Sequence, residues 1–136
     1  MTTDVVIKHR PSFSTLFVQL APGESIVAES DAMASMSSEI DIETRFNGGF
    51  LTAIMRKLFG GESLFINEFK SQGAEAGELV LTQPTPGDIE EVLLENTTMY
   101  LQPGAFVACD PTVEMSLGWA GFASLIGGEG LFRLKV

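Results

Sequence analysis

The chain has 136 residues, 45% of them hydrophobic, and a formal net charge of −10 at pH 7. This length suits one domain with a single core, and no apolar run reaches the roughly 18 residues of a membrane-spanning helix. Between Ser71 and Phe132 the chain carries acids but no Lys or Arg, and a nucleic-acid surface needs clustered cations, so we expect no nucleic-acid partner.

The first half of the chain has the pattern of short strands followed by one helix. From Phe50 onward, apolar residues recur at helical spacing and leave Arg56 and Lys57 on the opposite side, which predicts an amphipathic helix of about three turns ending at Gly60-Gly61. A Pro-Gly turn is expected at Ala21–Glu24. The predicted strands are Asp4–Lys8, Ser14–Leu20, Ser25–Glu29 and Met33–Arg45, the last because Ile40 and Ile42 alternate with acids.

The second half continues with short, closely spaced apolar runs. They are separated by Pro-Gly, Asp-Pro or polar segments, which is typical of a β-sandwich or roll and not of alternating strands and helices. We therefore predict an all-β fold with one short helix. The strands expected here are Ser63–Phe69, Gly77–Thr82, Ile89–Leu94, Met99–Leu101, Ala105–Cys109, Thr112–Leu117 and Leu131–Val136.

Two related stretches indicate that one structural unit occurs twice. Phe50–Phe65 and Leu117–Phe132 each consist of a mostly apolar arm followed by Gly-Gly-Glu-x-Leu-Phe. Upstream of each arm, Phe17–Ser37 and Met99–Ser116 share a Leu-x-Pro-Gly turn, a Val-Ala core and a terminal Met-Ser. We interpret residues 1–136 as one β-roll domain built from two pseudo-repeats, about residues 14–96 and 97–136. The second repeat lacks the strands that end the first, so it is expected to be incomplete or to leave an edge open for a partner.

Three segments resemble the family named for altered inheritance of mitochondria, number 24 of that series. They are GGESLF, PTPGDIEEV and LQPGAFVACDPTVEMS, and the resemblance extends over nearly the whole chain. It implies a double-stranded β-helix-like roll related to the tryptophan RNA-binding attenuation protein, and it implies that this chain corresponds to the first part of longer members. The family brings no catalytic residues. Its mitochondrial branch is implicated in organising inner-membrane complexes, but this sequence has no evident presequence.

The residues that could carry chemistry are few. The one histidine, His9, cannot build a site of two histidines and a carboxylate, and Asp110 with Glu114 is the remaining candidate pair for Mg²⁺ or Ca²⁺. The only thiol, Cys109, stands beside Asp110, which should raise its pKa and make it a core residue instead of a nucleophile. We predict no catalytic, cofactor or metal site and no identifiable small-molecule ligand.

The two apolar arms are difficult to bury entirely inside one small domain, which favours contact with another copy of the chain. We therefore predict a non-enzymatic interaction or scaffold module that forms a homo-oligomer in the cytoplasm, since one cysteine suits a reducing compartment and no signal-peptide core is present. The alternatives are a small-molecule- or metal-binding roll, which could be enzymatic, and a module with weak affinity for a membrane surface. The candidate interaction surface consists of Phe50, Leu51, Ile54, Met55, Leu58, Phe59, Trp119 and Phe122.

Overall fold

The structure, a computed structural model, describes residues 3–45, 66–101, 103–117 and 132–135. The predicted helix and most of the second arm lie outside these ranges. Within them the chain is all-β, as predicted, with two short 3-10 helices, Ser30–Ala32 and Pro103–Ala105. The strands are β1 (Asp4–Lys8), β2 (Thr15–Leu20), β3 (Ser25–Glu29), β4 (Met33–Met36), β5 (Ile40–Arg45), β6 (Ile66–Ser71), β7 (Gly77–Thr82), β8 (Thr98–Leu101), β9 (Ala108–Cys109), β10 (Glu114–Leu117) and β11 (Phe132–Lys135).

Two four-stranded antiparallel sheets form a sandwich. Sheet 1 has the order β1-β2-β7-β4 and sheet 2 the order β5-β6-β3-β9. In β2 and β7, alternate residues point inward, because successive side chains of a strand face opposite sides of its sheet. Their leucines and Val18 meet Ile26, Ile40 and Phe69 of sheet 2. The buried cluster comprises Leu16, Val18, Leu20, Ile26, Ala28, Ala32, Ile40, Phe69, Leu79, Leu81 and Ile89.

A third sheet has three strands in the order β10-β11-β8. Its β10–β11 pair is antiparallel, with Leu117 opposite Phe132, and the β5–β6 pair of sheet 2 has Arg45 opposite Ile66. Each apolar arm therefore connects two strands that pair with each other. The strands after the arms differ in their second neighbour, since β6 also pairs with β3 whereas β11 pairs with β8.

The Pro-Gly turn between β2 and β3 forms where it was predicted. The Glu24 amide donates to the Ala21 carbonyl at 2.9 Å, and Gly23 has a φ of 84°, which glycine adopts without the steric cost of a Cβ. The Gly23 amide also donates to the Ser71 carbonyl at 2.9 Å, and the Ser71 amide to Glu24 at the same distance. The turn thus joins the β2–β3 corner to the end of β6.

The prediction of one strand over Met33–Arg45 is wrong. The segment forms two strands in different sheets, β4 in sheet 1 and β5 in sheet 2, with a corner between them. Ser37 makes this corner, because its amide donates to the Glu78 carbonyl at 2.9 Å while its Oγ accepts from the Glu78 amide at 3.0 Å. The alternation that suggested a strand, Ile40 and Ile42 against acids, lies entirely within β5, where Ile40 is buried at 3% exposure and Ile42 is 38% exposed.

The predicted strand Ile89–Leu94 is absent, because both sides of the preceding strand β7 are already occupied by β2 and β4. The chain leaves the sheet and crosses it as an irregular segment, with Ile89 packed into the core. Ala105–Cys109 also forms less strand than predicted, since only Ala108–Cys109 pairs with β3. No helix in the described ranges is long and apolar enough to span a membrane.

Candidate interaction surface

An ionic cluster joins the loop before β2 to the segment after β7, and we call its members Arg10, Ser14, Asp88 and Glu90 the Arg10–Asp88 cluster. Arg10 donates to both oxygens of the Asp88 carboxylate, from Nε at 2.9 Å and from Nη2 at 3.0 Å. Such a two-point contact fixes the guanidinium relative to the carboxylate. The same Nη2 contacts the Glu90 carboxylate. The Ser14 hydroxyl donates to Asp88 Oδ1 at 2.5 Å.

Main-chain contacts hold the same two segments together. The Ser14 amide donates to the Gly87 carbonyl at 3.1 Å, and the Gly87 amide donates to the Ser12 carbonyl at 2.6 Å. Asp88 Oδ1 also accepts from the Ile89 amide at 2.9 Å, and the Ile89 side chain enters the core. The start of the irregular segment is therefore fixed in position by ionic, main-chain and apolar contacts.

The electrostatics of this cluster suit a structural role. The hydrogen bonds from Arg10 and Ser14 lower the pKa of Asp88 to about 2, because they stabilise its ionised form. A carboxylate with this pKa is a poor general base at neutral pH. The acceptor of the Ser14 hydroxyl is therefore a weak base.

Large apolar side chains are exposed on the two segments that the cluster joins. Phe13, next to Ser14, is 68% exposed, and beyond Glu90 the exposures of Val92 and Leu93 are 52% and 80%. Single exposed apolar residues are common on protein surfaces. Phe13, Val92 and Leu93 are therefore candidate contact residues on two segments that are fixed to each other, and we call the three together the Phe13–Leu93 surface.

The residues that the sequence singled out for chemistry have structural partners. Burial, and secondarily the charge of Asp110, raises the pKa of the Cys109 thiol to about 12, and the side chain is half-buried beside the core. Asp110 Oδ1 accepts from the Thr112 amide at 2.9 Å and from the Thr112 hydroxyl at 2.7 Å, so this carboxylate caps a turn. No group of three or more potential metal ligands occurs among the described residues. The His9 ring lies edge-on to Phe17, with centroids 6.4 Å apart.

The eight residues predicted as the interaction surface all lie outside the described residues, so that prediction stands untested. Sequence reasoning did not find the Arg10–Asp88 cluster. Arg10 and Asp88 are 78 positions apart, and no local pattern connects them. The one available signal was the run Pro84-Thr85-Pro86-Gly87-Asp88, which the sequence analysis interpreted only as a turn.

Comparisons with known proteins agree with this architecture. A family model described as mitochondrial biogenesis AIM24 matches residues 5–136. An uncharacterized protein of Streptococcus pyogenes serotype M6 is 29% identical over an alignment of 131 residues that covers 91% of this chain and 52% of that protein. A crystal structure of another S. pyogenes protein superposes with a TM-score of 0.74 at 25% identity, covering 98% of this chain and 60% of that one. The chain thus spans about half to three-fifths of the length of these relatives.

Proposed function

The chain belongs to the AIM24 family, and we propose from its surface that it is a non-enzymatic interaction or scaffold module acting through contacts between copies of the chain. The relatives it matches include an uncharacterized protein. The observation that carries the proposal is the Phe13–Leu93 surface, on which Leu93 is 80% exposed. The proposal concerns molecular activity.

The placement of this surface supports contact with another protein. A flexible apolar loop could fold back onto its own domain, but the Arg10–Asp88 cluster fixes the segment at its start while Val92 and Leu93 remain in water. Exposing apolar area costs roughly 25 cal/mol per Å², and association would recover part of that free energy. A second copy of the chain is the partner that the proposal names.

The interior of the sandwich gives less support to a ligand-binding roll. Phe69, Leu20, Leu79, Leu81 and Val18 are fully buried between the two sheets, so side chains fill the space that a roll would need for a small molecule. The described polar groups also favour a structural role, since Asp88 is paired with Arg10 and Asp110 caps its own turn.

Sedimentation velocity at several protein concentrations, together with native mass spectrometry, tests the proposal. We expect an oligomer whose mass is a multiple of the chain mass, without additional bound mass. Leu93→Glu should weaken association, because it places a charge on the Phe13–Leu93 surface. Glu95→Gln is the matched control, since Glu95 is exposed on the same segment and its substitution removes no apolar area.

The predicted arms are tested in the same way with Ile54→Glu and Trp119→Glu. An oligomer that is weakened by either arm substitution or by Leu93→Glu supports the proposal and shows which surface is used. A chain that stays monomeric at high concentration contradicts it. A monomer with a defined additional mass would instead support the ligand-binding alternative.

A further inference from the structure

We propose that the free edge of β1 pairs with β1 of a second copy of the chain in antiparallel orientation, joining two copies of sheet 1 into one continuous sheet. This inference rests on the proposed function, because it assigns a surface to the self-association. It uses neither the apolar arms nor the Phe13–Leu93 surface. It depends on the self-complementary sequence of β1 and on the exposure of Asp4, Val6 and Lys8.

β1 is the edge strand of sheet 1. It pairs with β2 on one side, with Val6 opposite Phe17, and no other strand of the described ranges pairs with its outer side. As far as the described ranges are concerned, the main-chain groups on that side are therefore available to another strand, as at an unprotected sheet edge. Edge strands are recognised in this way by added strands in many complexes.

The sequence of β1, Asp-Val-Val-Ile-Lys, is self-complementary in antiparallel pairing. When the two-fold axis passes through Val6, Asp4 lies opposite the partner's Lys8 and Lys8 lies opposite the partner's Asp4. Opposite charges directly across a strand pair attract, whereas like charges repel. In the same register Val5 lies opposite the partner's Ile7. All five residues are then paired, which a register shifted along the strand does not achieve.

The two faces of β1 fit this arrangement. Asp4, Val6 and Lys8 are exposed, Val6 at 46%, while Val5 and Ile7 pack against the core. Residues directly opposite each other in a strand pair point to the same face of the sheet. The two cores therefore lie on one side of the joined sheet. On the other side the row Val6, Phe17 and Val80 of one copy continues into the same row of the second copy.

The other edges of the two large sheets suit self-pairing less well. β4 contains an irregularity between Met33 and Ser35, and β9 has two residues. β5 carries Asp41 and Glu43 on its exposed face, so pairing it with its own copy about Ile42 would place these acids opposite each other. Among the described edges of these two sheets, β1 alone combines regular geometry with complementary charges.

A five-residue edge gives a small interface, so we expect a dimer that dissociates on dilution. The test exchanges charges at the two ends of β1. Asp4→Lys should place a lysine opposite the partner's Lys8, and Lys8→Asp should place an aspartate opposite the partner's Asp4. Because like charges then face each other, each variant alone should associate on the order of tenfold more weakly than wild type. Circular dichroism and thermal unfolding confirm that the variants are folded.

An equimolar mixture of the two variants provides the decisive measurement. In a mixed pair every lysine at the interface lies opposite an aspartate, and its total charge equals that of two wild-type chains. Native mass spectrometry distinguishes the mixed pair by mass. We expect the mixture to regain the wild-type dissociation constant, with mixed pairs exceeding the twofold ratio to each homodimer that random pairing would give. The double variant Asp4→Lys/Lys8→Asp should also regain it.

The results separate this inference from the proposed function. Wild-type oligomers that withstand both single substitutions but are disrupted by Leu93→Glu or Ile54→Glu would overturn β1 pairing and leave the proposed function in place. A wild-type chain that is monomeric at all concentrations would overturn both. Weakening by the single substitutions without recovery in the mixture would also overturn the proposed register.

Discussion

The packing of sheet 1 against sheet 2 can be tested at Gly77, the first residue of β7. A Cβ added at Gly77 would lie 2.5 Å from Cγ1 and 3.0 Å from Cδ1 of Ile40 in β5. Ordinary contact begins near 3.4 Å, so the Ile40 side chain would have to move by roughly 1 Å within a close-packed core. Because Ile40 is only 3% exposed, it has little room for this movement.

We expect Gly77→Ala to lower the free energy of unfolding by about 1–2 kcal/mol. Overpacking costs about 1–3 kcal/mol, and the reduced entropy of the unfolded chain offsets up to about 1 kcal/mol of it. Ile40→Ala should cost about 2–4 kcal/mol through loss of apolar contact and formation of a cavity. In the double variant the new methyl group enters the space that Ile40 leaves. The double variant should therefore be about 1–2 kcal/mol more stable than the sum of the single effects predicts.

Urea denaturation of the wild type, both single variants and the double variant measures this coupling, provided that the slope of the transition is unchanged. Gly104→Ala is the matched control, because a Cβ there meets no atom within 4 Å. It should raise the free energy of unfolding by up to about 1 kcal/mol, because it reduces the entropy of the unfolded chain without a clash in the folded one. Strict additivity of the two core substitutions, or a Gly77→Ala variant as stable as Gly104→Ala, would refute the proposed contact between β5 and β7.

Three further predictions concern a charge, a thiol and a turn. The pKa of Asp88 is lowered from 3.8 to about 2, so its contribution to stability is complete above pH 4 and is lost as the pH falls toward 2. In acid unfolding, Asp88→Asn should remove this part of the pH dependence. An unchanged pH profile would contradict the stabilising role of the Asp88 carboxylate. With a pKa near 12, the Cys109 thiol should be alkylated by iodoacetamide at pH 8 far more slowly in the folded protein than in urea. Equal alkylation rates would show that the thiol is accessible and ionised in the folded protein. Gly23→Ala should lower the stability measured by thermal unfolding by about 1 kcal/mol because φ is 84°, whereas Gly23→Asn should cost less. An Ala variant as stable as the wild type would exclude backbone strain at this position.

Much of the strand pattern follows from the sequence because it depends on local alternation. The bounds of β1, β3 and β7 are those predicted, and the turn at Ala21–Glu24 forms with glycine in the left-handed region. The corner at Ser37 was missed, since the alternation of Ile40 and Ile42 with acids was extended back over Ser37 and only the contacts of Ser37 with Glu78 show that the chain changes sheets. Ile89–Leu94 has strand-like composition, but it cannot pair with β7, because β2 and β4 already occupy the two sides of that strand.

The candidate surface was less predictable than the fold. The Arg10–Asp88 cluster forms only because the fold brings together residues 78 positions apart, and a single sequence contains no signal for such a pair. The exposure of Leu93 likewise depends on the absence of a strand where apolar composition predicts one. In contrast, the direction of the Cys109 pKa shift was predicted from its neighbour Asp110, although burial, which the fold decides, is the larger cause.

Self-association of the purified chain is the central claim, and sedimentation velocity over a wide concentration range tests it most directly. We predict a sedimentation coefficient that rises with concentration toward that of an oligomer, with native masses equal to multiples of the chain mass. A single monomeric species across the whole range would contradict the account.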